Sequence, residues 1–428
     1  MGYQPNPWMI LPFALWLAFI ALAPHALPRW WARHCAGLAL LFAAVPVGYY
    51  LLVLPPAASQ TVLRAAHDYV SFIVLIGSLY VVSSGIRIAV RAEAGPWRST
   101  CFLGLGGLAA NVLGTTGASM LLIGPWLRLN GSRLAARHVV FFIFIVANIG
   151  GGLTPIGNPP LLLGFLKGVP FWWVLRHCWP AWLLSMALLL GVFHVMDRRH
   201  YVAAARPARD EPLFAGGWNV LFLAVIVAAV FVPRPVFLRE GLMLAAAAGS
   251  FLTTGKKVHE ANQFHFGPIF EVAALFLGIF ATMMPASDWL QANARNVLGP
   301  APSPGLVYWS SGGLSSVLDN APAYLAFAGA LSGLFGGMAP LAQAGAAHLA
   351  ALSIATVFFG AATYIGNGPN LMVKAIAERQ GVRLPTFAGY VFKWTVPILL
   401  PLLLILWLIF VRPACDLVTT FCSSCSFG

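Results

Sequence analysis

Apolar residues recur along this chain in runs of about 20, long enough to cross roughly 30 Å of hydrocarbon at 1.5 Å per residue. Ten such runs predict full helical spans, centred near residues 16, 45, 77, 150, 187, 225, 245, 277, 358 and 400. The expected fold class is therefore an all-α polytopic membrane protein, since backbone groups in lipid must be paired within the segment. Two further apolar segments behave differently. Residues 101–127 are interrupted by Gly114-Thr115-Thr116-Gly117, and residues 304–334 by Leu318-Asp319-Asn320-Ala321-Pro322. Each half is only about 13 residues, or roughly 20 Å of helix, which reaches the midplane and no further. Both segments are predicted to be re-entrant hairpins.

Composition removes the soluble alternatives. Of the 428 residues, 60% are hydrophobic and 9% charged, against about 25% charged in a soluble domain. The net charge of +13 would suggest nucleic acid in a soluble protein, but no basic and aromatic pattern of a nucleic-acid reader appears. With the hairpins drawn as above, 18 of the 25 basic residues fall in loops on one side, among them Arg87, Arg91, Arg98, Arg133, Arg137, Arg198, Arg199, Lys256, Lys257 and Arg379. Arg64, Arg234 and Arg295 fall opposite. The positive-inside rule then predicts a multi-pass protein of a bacterial-type inner membrane with both termini outside. No Lys or Arg precedes the first run, residues 8–23, so it reads as the first helix rather than a signal peptide. Phe171-Trp172-Trp173 is expected in an interfacial belt. Cys415, Cys422 and Cys425 cluster in a polar tail without a nearby His, a poor zinc site. No cofactor is expected beyond a coupling ion, Na⁺ or H⁺ or both.

A search for internal repeats is more informative. The order of a span with an acid near its start, a hairpin and a broken span occurs twice. Gly77 pairs with Gly278, Thr116 with Asn320, and Ile156-Gly157-Asn158 with Ile365-Gly366-Asn367, at offsets of 201, 204 and 209. The predicted halves are residues 1–209, with hairpin 101–127 and broken span 139–166, and residues 210–428, with hairpin 304–334, broken span 347–375 and the polar tail. Each half has five full spans, an odd number, so the second is inserted upside down. Inverted repeats with broken helices are the architecture of secondary transporters, whose sites lie near the midplane.

The first broken span reads Asn148-Ile149-Gly150-Gly151-Gly152-Leu153-Thr154-Pro155-Ile156-Gly157-Asn158-Pro159-Pro160, and its counterpart Gly360-Ala361-Ala362-Thr363-Tyr364-Ile365-Gly366-Asn367-Gly368-Pro369-Asn370. Gly and Pro prevent continuous helical bonding, leaving carbonyls and amides that a membrane tolerates only against protein or a cavity. Carbonyls with Asn and Thr oxygens suit Na⁺, while the restarting helix N-termini favour anions. The candidate ion and substrate ligands are Thr115, Thr116 and Ser119 of the first hairpin, Thr154, Gly157 and Asn158 of the first break, Asp319 and Asn320 of the second hairpin, and Thr363, Gly366, Asn367 and Asn370 of the second break. Na⁺ is assigned to Thr116, Asn158, Asp319 and Asn367. Three acids, Asp68, Glu271 and Asp319, lie within apolar segments and are candidates for proton coupling, with His67 as a partner or relay for Asp68. The plainer alternatives are kinks or surface loops at the breaks, and helix caps at Thr116 and Asp319.

Ile149-Gly150-Gly151 with Thr154-Pro155-Ile156-Gly157-Asn158-Pro159-Pro160, then Ser315-Ser316-Val317-Leu318-Asp319-Asn320-Ala321-Pro322 and Ile365-Gly366-Asn367-Gly368-Pro369-Asn370, resemble the ion transporter superfamily. That group includes arsenite permeases, sodium/proton antiporters, sodium-coupled dicarboxylate carriers and citrate transporters. The resemblance is nearest to the citrate transport branch, often labelled sodium:proton antiporter, and covers essentially the whole chain. It implies a scaffold domain and a transport domain, the latter holding the hairpins and broken helices. It also places Thr115, Thr116, Asn158, Asp319, Asn320 and Asn367 at the sodium and substrate site. The dicarboxylate carriers have Ser-Asn-Thr at both hairpin tips, whereas the Asp319-Asn320-Ala321-Pro322 form here is closer to the antiporter and arsenite branches.

The function expected from these features is Na⁺/H⁺ exchange with Asp319 titrating. The alternative is Na⁺- or H⁺-coupled movement of citrate or a similar carboxylate. Acids and the absence of Lys or Arg at the inferred midplane favour the first. An intramembrane enzyme is not expected, because there is no His-Glu-x-x-His and no Gly-x-Ser-x-Gly. The partners expected are the lipid bilayer and a small cation or carboxylate, with a homodimer left open.

Overall fold

The computed structural model describes residues 5–88, 95–201, 214–232, 237–262, 264–299 and 301–413. The tail cysteines Cys415, Cys422 and Cys425, with Arg91 and Arg234, lie outside the described residues. In chain order come α1 (Leu11–Ala26), α2 (Pro28–Leu52), α3 (Ser59–Ser84), α4 (Pro96–Asn130), α5 (Ala136–Ile145), α6 (Pro159–Leu166), α7 (Trp173–Arg199), α8 (Trp218–Val230) and α9 (Leu238–Thr253). They are followed by α10 (Lys256–Ala261), α11 (Gly267–Ala292), α12 (Ala294–Leu298), α13 (Pro304–Val317), α14 (Asn320–Phe335), α15 (Met338–Gln343), α16 (Ala346–Phe359) and α17 (Gly368–Arg379). The last span contains α18 (Phe387–Tyr390) and α19 (Leu400–Leu406), joined and followed by π-helical turns. Every predicted span centre but one falls on one of these elements; residue 150 lies in the short 3-10 turn Ile149–Gly151 between α5 and α6, because the span is broken there. The β-structure among the described residues is one antiparallel pairing of Arg87-Ile88 with Phe214-Ala215.

Six helical stretches are long and apolar enough to cross a membrane, but the longest of them, α4, is not a crossing. Its backbone leaves the helical region at Gly114, with φ 73° and ψ 152°. A continuous helix would hold Ser99 and Asn130 about 46 Å apart; instead the Ser99 hydroxyl donates to Asn130 Oδ1 at 3.0 Å. Phe102 and Trp126 likewise lie 5.6 Å apart, ring to ring. So α4 is a hairpin, as the sequence predicts. Its halves are longer than expected, about 18 and 16 residues, because both open ends continue as helix through buried, hydrogen-bonded polar residues, Ser99 and Thr100 at one and Asn130 at the other. Only Gly114 breaks the helix, since Thr115, Thr116 and Gly117 already belong to the returning half. A non-Gly residue is strained at this φ, and a Cβ would stand 3.2 Å from the Ile156 carbonyl.

The second hairpin, α13 and α14, turns at Leu318 and Asp319 without a glycine, because both residues are extended. His348, near the start of α16, touches both open ends, donating to the Pro302 carbonyl at 2.7 Å and lying 5.2 Å from the Phe335 ring.

The buried apolar side chains form two principal cores. One joins α4, α5, α7, α13, α14, α16 and the last span. The other joins α1, α2, α3, α8, α9 and α11, with Leu162 and Leu163 of α6 and Ala321 and Leu325 of α14. This division cuts across the predicted halves: each packing unit takes helices from both, and both hairpins and both broken spans fall together. Leu40, Leu41, Leu105, Leu252 and Phe392 stand exposed, an arrangement suited to lipid. The expected aromatic belt needs correction. Trp172 is exposed, but Phe171 and Trp173 are buried, and the Trp173 indole donates to the Ala342 carbonyl at 2.8 Å.

Candidate functional site

Both breaks are built from the same local contacts. In the first, the Thr154 hydroxyl donates to the Asn111 carbonyl at 2.5 Å and accepts from Gly157 N–H at 3.1 Å. In the second, the Thr363 hydroxyl donates to the Ser316 carbonyl at 2.6 Å and accepts from Gly366 N–H at 3.1 Å. Each hairpin tip then donates one backbone N–H to its break, Thr115 to the Gly157 carbonyl at 2.8 Å and Asn320 to the Gly366 carbonyl at 3.1 Å. The glycines are required by close approach: a Cβ on Gly157 would fall against the Gly151 carbonyl, and one on Gly366 would stand 2.6 Å from that of Gly360.

The two breaks meet through a chain of buried asparagines. Asn367 donates to the Ala147 carbonyl at 2.8 Å and to Asn148 Oδ1 at 3.1 Å. Asn148 donates to Asn370 Oδ1 at 2.7 Å, and Asn370 donates to the carbonyls of Gly360 and Thr363, both at 2.9 Å. Asn158 donates to the Asn148 carbonyl at 3.3 Å, and its Oδ1 accepts from Asn320 of the second tip at 3.0 Å. The first tip therefore bonds to Gly157 and the second to Asn158, adjacent residues of one break. The sequence places these elements at the midplane, and the structure brings them into contact.

Three buried oxygens at the tips have no hydrogen-bond partner among the described residues: Thr115 Oγ1, Ser119 Oγ and Asn320 Oδ1. Such oxygens are costly to bury unless something else pairs with them. Thr115, Thr116, Gly157 and Asn158, with Leu75 and Leu79 of α3, line a cleft of about 340 Å³. Thr116 is half-buried there and does not cap the returning helix, which has already begun at Thr115. Asp319 is not a wall of this cleft. It caps α14, accepting from Ala321 N–H at 3.1 Å, and its carboxylate lies within electrostatic reach of the Gly368 N–H at the start of α17.

The other two candidate acids lie elsewhere. Asp68 faces Lys167, with Nζ 3.5 Å from Oδ2, and His67, with Nδ1 3.9 Å from Oδ1. Glu271 is exposed near the start of α11. The expectation of three acids within apolar helices is too few: Asp197, Glu240 and Asp288 are also inside helices and paired. Asp197 meets Arg133, Arg137 and His138, Glu240 accepts from Ser71 at 2.6 Å, and Asp288 accepts from Tyr50 at 2.7 Å. Sequence reasoning also misses Asn111 and Asn148 as central groups. Asn111 donates to the Gly150 carbonyl at 2.7 Å and accepts from Leu153 N–H at 2.9 Å. The available signal was an amide in an apolar run three residues before the hairpin turn.

Among the described residues no group of three or more His, Cys, Asp or Glu side chains is arranged to hold a metal ion. None of the curated proteins matches this chain. The model of the family named Putative citrate transport matches residues 3–411, nearly the whole length, and the chain belongs to that family of membrane transporters.

Proposed function

We propose that this protein moves citrate or a similar small carboxylate across the membrane together with Na⁺ or H⁺, and that its two halves are inverted copies meeting at the site. The observation that carries this reading is the balance of helix ends at the centre. Four helical segments end there, at Leu113, Ile145, Val317 and Phe359, and four begin, at Thr115, Pro159, Asn320 and Gly368. Each end carries about half a unit charge, so the eight nearly cancel. Asp319 is the one acid in the tips and breaks, and no Lys or Arg is present there. A bare polycarboxylate is repelled by that charge, whereas one accompanied by cations is not. The unpartnered oxygens of Thr115, Ser119 and Asn320 suit such a cation. The restarting helices are poor anion cradles alone, because Pro159, Pro160 and Pro369 remove N–H groups and the Asp319 carboxylate faces the Gly368 N–H. For the inverted relation, the support is that the first hairpin runs from its tip toward the end of α3, Gly114 facing Leu79 and Gly117 facing Ser83, while Ser332 near the second hairpin's end shares a cleft with Arg64 and Asp68 near its start.

Na⁺/H⁺ exchange is the second reading, favoured by the position of Asp319 alone. Labelled citrate uptake by proteoliposomes separates the two. An inward Na⁺ or proton gradient is expected to drive uptake in the unaltered protein. Asp319→Asn is expected to lower that cation-driven uptake at least about tenfold while changing stability by about 1 kcal/mol or less, since the amide oxygen still caps α14. Robust Na⁺-driven proton flux with no citrate uptake would replace the first reading with the second.

A further inference from the structure

At the membrane end where α3 begins and α6 and α14 finish, a cleft of about 1060 Å³ opens between the two packing units. Its walls include Arg64 and Asp68 of α3, Lys167 just after α6, Ser287 and Gln291 of α11, and Ser332 of α14. A second cleft of about 600 Å³ shares five of these residues and reaches Asp288. We propose that Lys167 and Arg64 form a capture site for a small polycarboxylate anion ahead of the central site, with Asp68 as the resident carboxylate that occupies Lys167 until the anion replaces it.

The pairing of Lys167 with Asp68 is of a replaceable kind. Its 3.5 Å separation is longer than a strong charged hydrogen bond, and the side chains are 35% and 19% exposed. Water and salt weaken such pairs, so a dissolved carboxylate competes on nearly equal terms. The second acid of the cleft, Asp288, accepts from the Tyr50 hydroxyl; it lies within electrostatic reach of Lys167, whose ion pair is with Asp68. Arg64 adds a guanidinium whose planar fork fits a second carboxylate of the same molecule. The position is also apt. Lys167 ends the eight-residue helix whose other end is Asn158 of the central network, a rise of about 12 Å. The tips and breaks carry no basic residue, so of the two sites it is this cleft that offers a polycarboxylate cationic side chains. Positive-inside sorting puts this cleft on the outer face.

The proposal rests on the carboxylate reading above, and kinetics of citrate uptake with the full-length protein in proteoliposomes tests both. Lys167→Gln is expected to raise KM about three- to tenfold with the maximal rate within about twofold, Arg64→Gln to raise it less, and Lys167→Arg to restore it. Asp68→Asn is expected to lower KM about two- to threefold, because Lys167 is released. High salt should shrink all these differences. Unchanged KM in both Lys167→Gln and Arg64→Gln, in a protein that does take up citrate, overturns the capture site and leaves the transport reading standing. So does loss of uptake in Asp68→Asn, the result expected of a proton carrier. Absence of citrate uptake by the unaltered protein, with cation exchange intact, overturns both.

Discussion

The two hairpins share one plan and carry their charge at opposite ends. The first has an uncharged tip, Thr115 and Thr116, and a charged open end. There Arg133 donates to Asp197 at 3.0 Å, to Ser99 at 3.3 Å and to Asn130 at 3.2 Å, so one guanidinium spans both helix ends of the hairpin. His138 donates to the same Asp197 at 2.9 Å, and the Trp126 indole donates to the His138 carbonyl at 3.0 Å. The second hairpin has a charged tip, Asp319, and an uncharged open end closed by His348 against Pro302 and Phe335. His138 and His348 stand 210 residues apart at the start of equivalent spans. The shared histidine with different partners separates what the two hairpins have in common from what they do not: the backbone crossings at the breaks repeat, while the charges do not.

The largest expected effect tests the open ends. Asp197→Ala leaves Arg133 and its neighbours buried without their acid and is expected to cost about 3–5 kcal/mol. His348→Ala removes one hydrogen bond and one ring contact, for about 1–3 kcal/mol. Thermal unfolding of the purified variants in detergent should therefore show a much larger drop for Asp197→Ala. Equal drops would mean that the Asp197 cluster is a solvated surface feature and not a clamp on the hairpin.

A second test asks where the two halves should behave alike. Gly157→Ala and Gly366→Ala each push a methyl group into a facing backbone carbonyl, where no side chain can rotate away. Each is expected to cost about 1–3 kcal/mol and to abolish uptake, with the two variants close to each other. A large cost at one and none at the other would show that only one break is held by this crossing.

What the sequence could reveal follows the same division. The breaks and tips were legible because Gly, Pro, Asn and Thr in the middle of an apolar run have few purposes other than interrupting it. Thr115, Asn158, Asn320 and Asn367 could be picked out on that ground, and they meet. The Asp197 clamp was not legible, because an acid followed by Arg198 and Arg199 at the end of a span looks like any loop boundary. Its burial is decided by α4 and α5, which bring Arg133 and His138 to it from 60 residues away. Asn148 was passed over for a related reason. Its importance comes from Asn367 and Asn370, more than 200 residues distant, and hydropathy along the chain carries no information on which break faces which.

The smallest stability effect is expected at the uncharged tip, and there it says most about function. Thr115 Oγ1 and Ser119 Oγ are buried without a partner among the described residues, unlike the Thr363 hydroxyl, which donates to Ser316 and accepts from Gly366. Replacing an unpaired buried hydroxyl by a methyl group or hydrogen leaves no orphaned partner, so Thr115→Val and Ser119→Ala should shift stability by no more than about 1 kcal/mol in either direction. Thr363→Val, by contrast, strands three groups, the Ser316 carbonyl and the N–H groups of Ile365 and Gly366, and should cost about 1–3 kcal/mol. If the two hydroxyls of the first tip are held open for a cation, Thr115→Val and Ser119→Ala will raise the Na⁺ or proton concentration needed for half-maximal citrate uptake while leaving the fold intact. Uptake with unaltered cation dependence in both variants would remove the first hairpin from the ion site and leave Asn320 and Asp319 of the second to carry it alone.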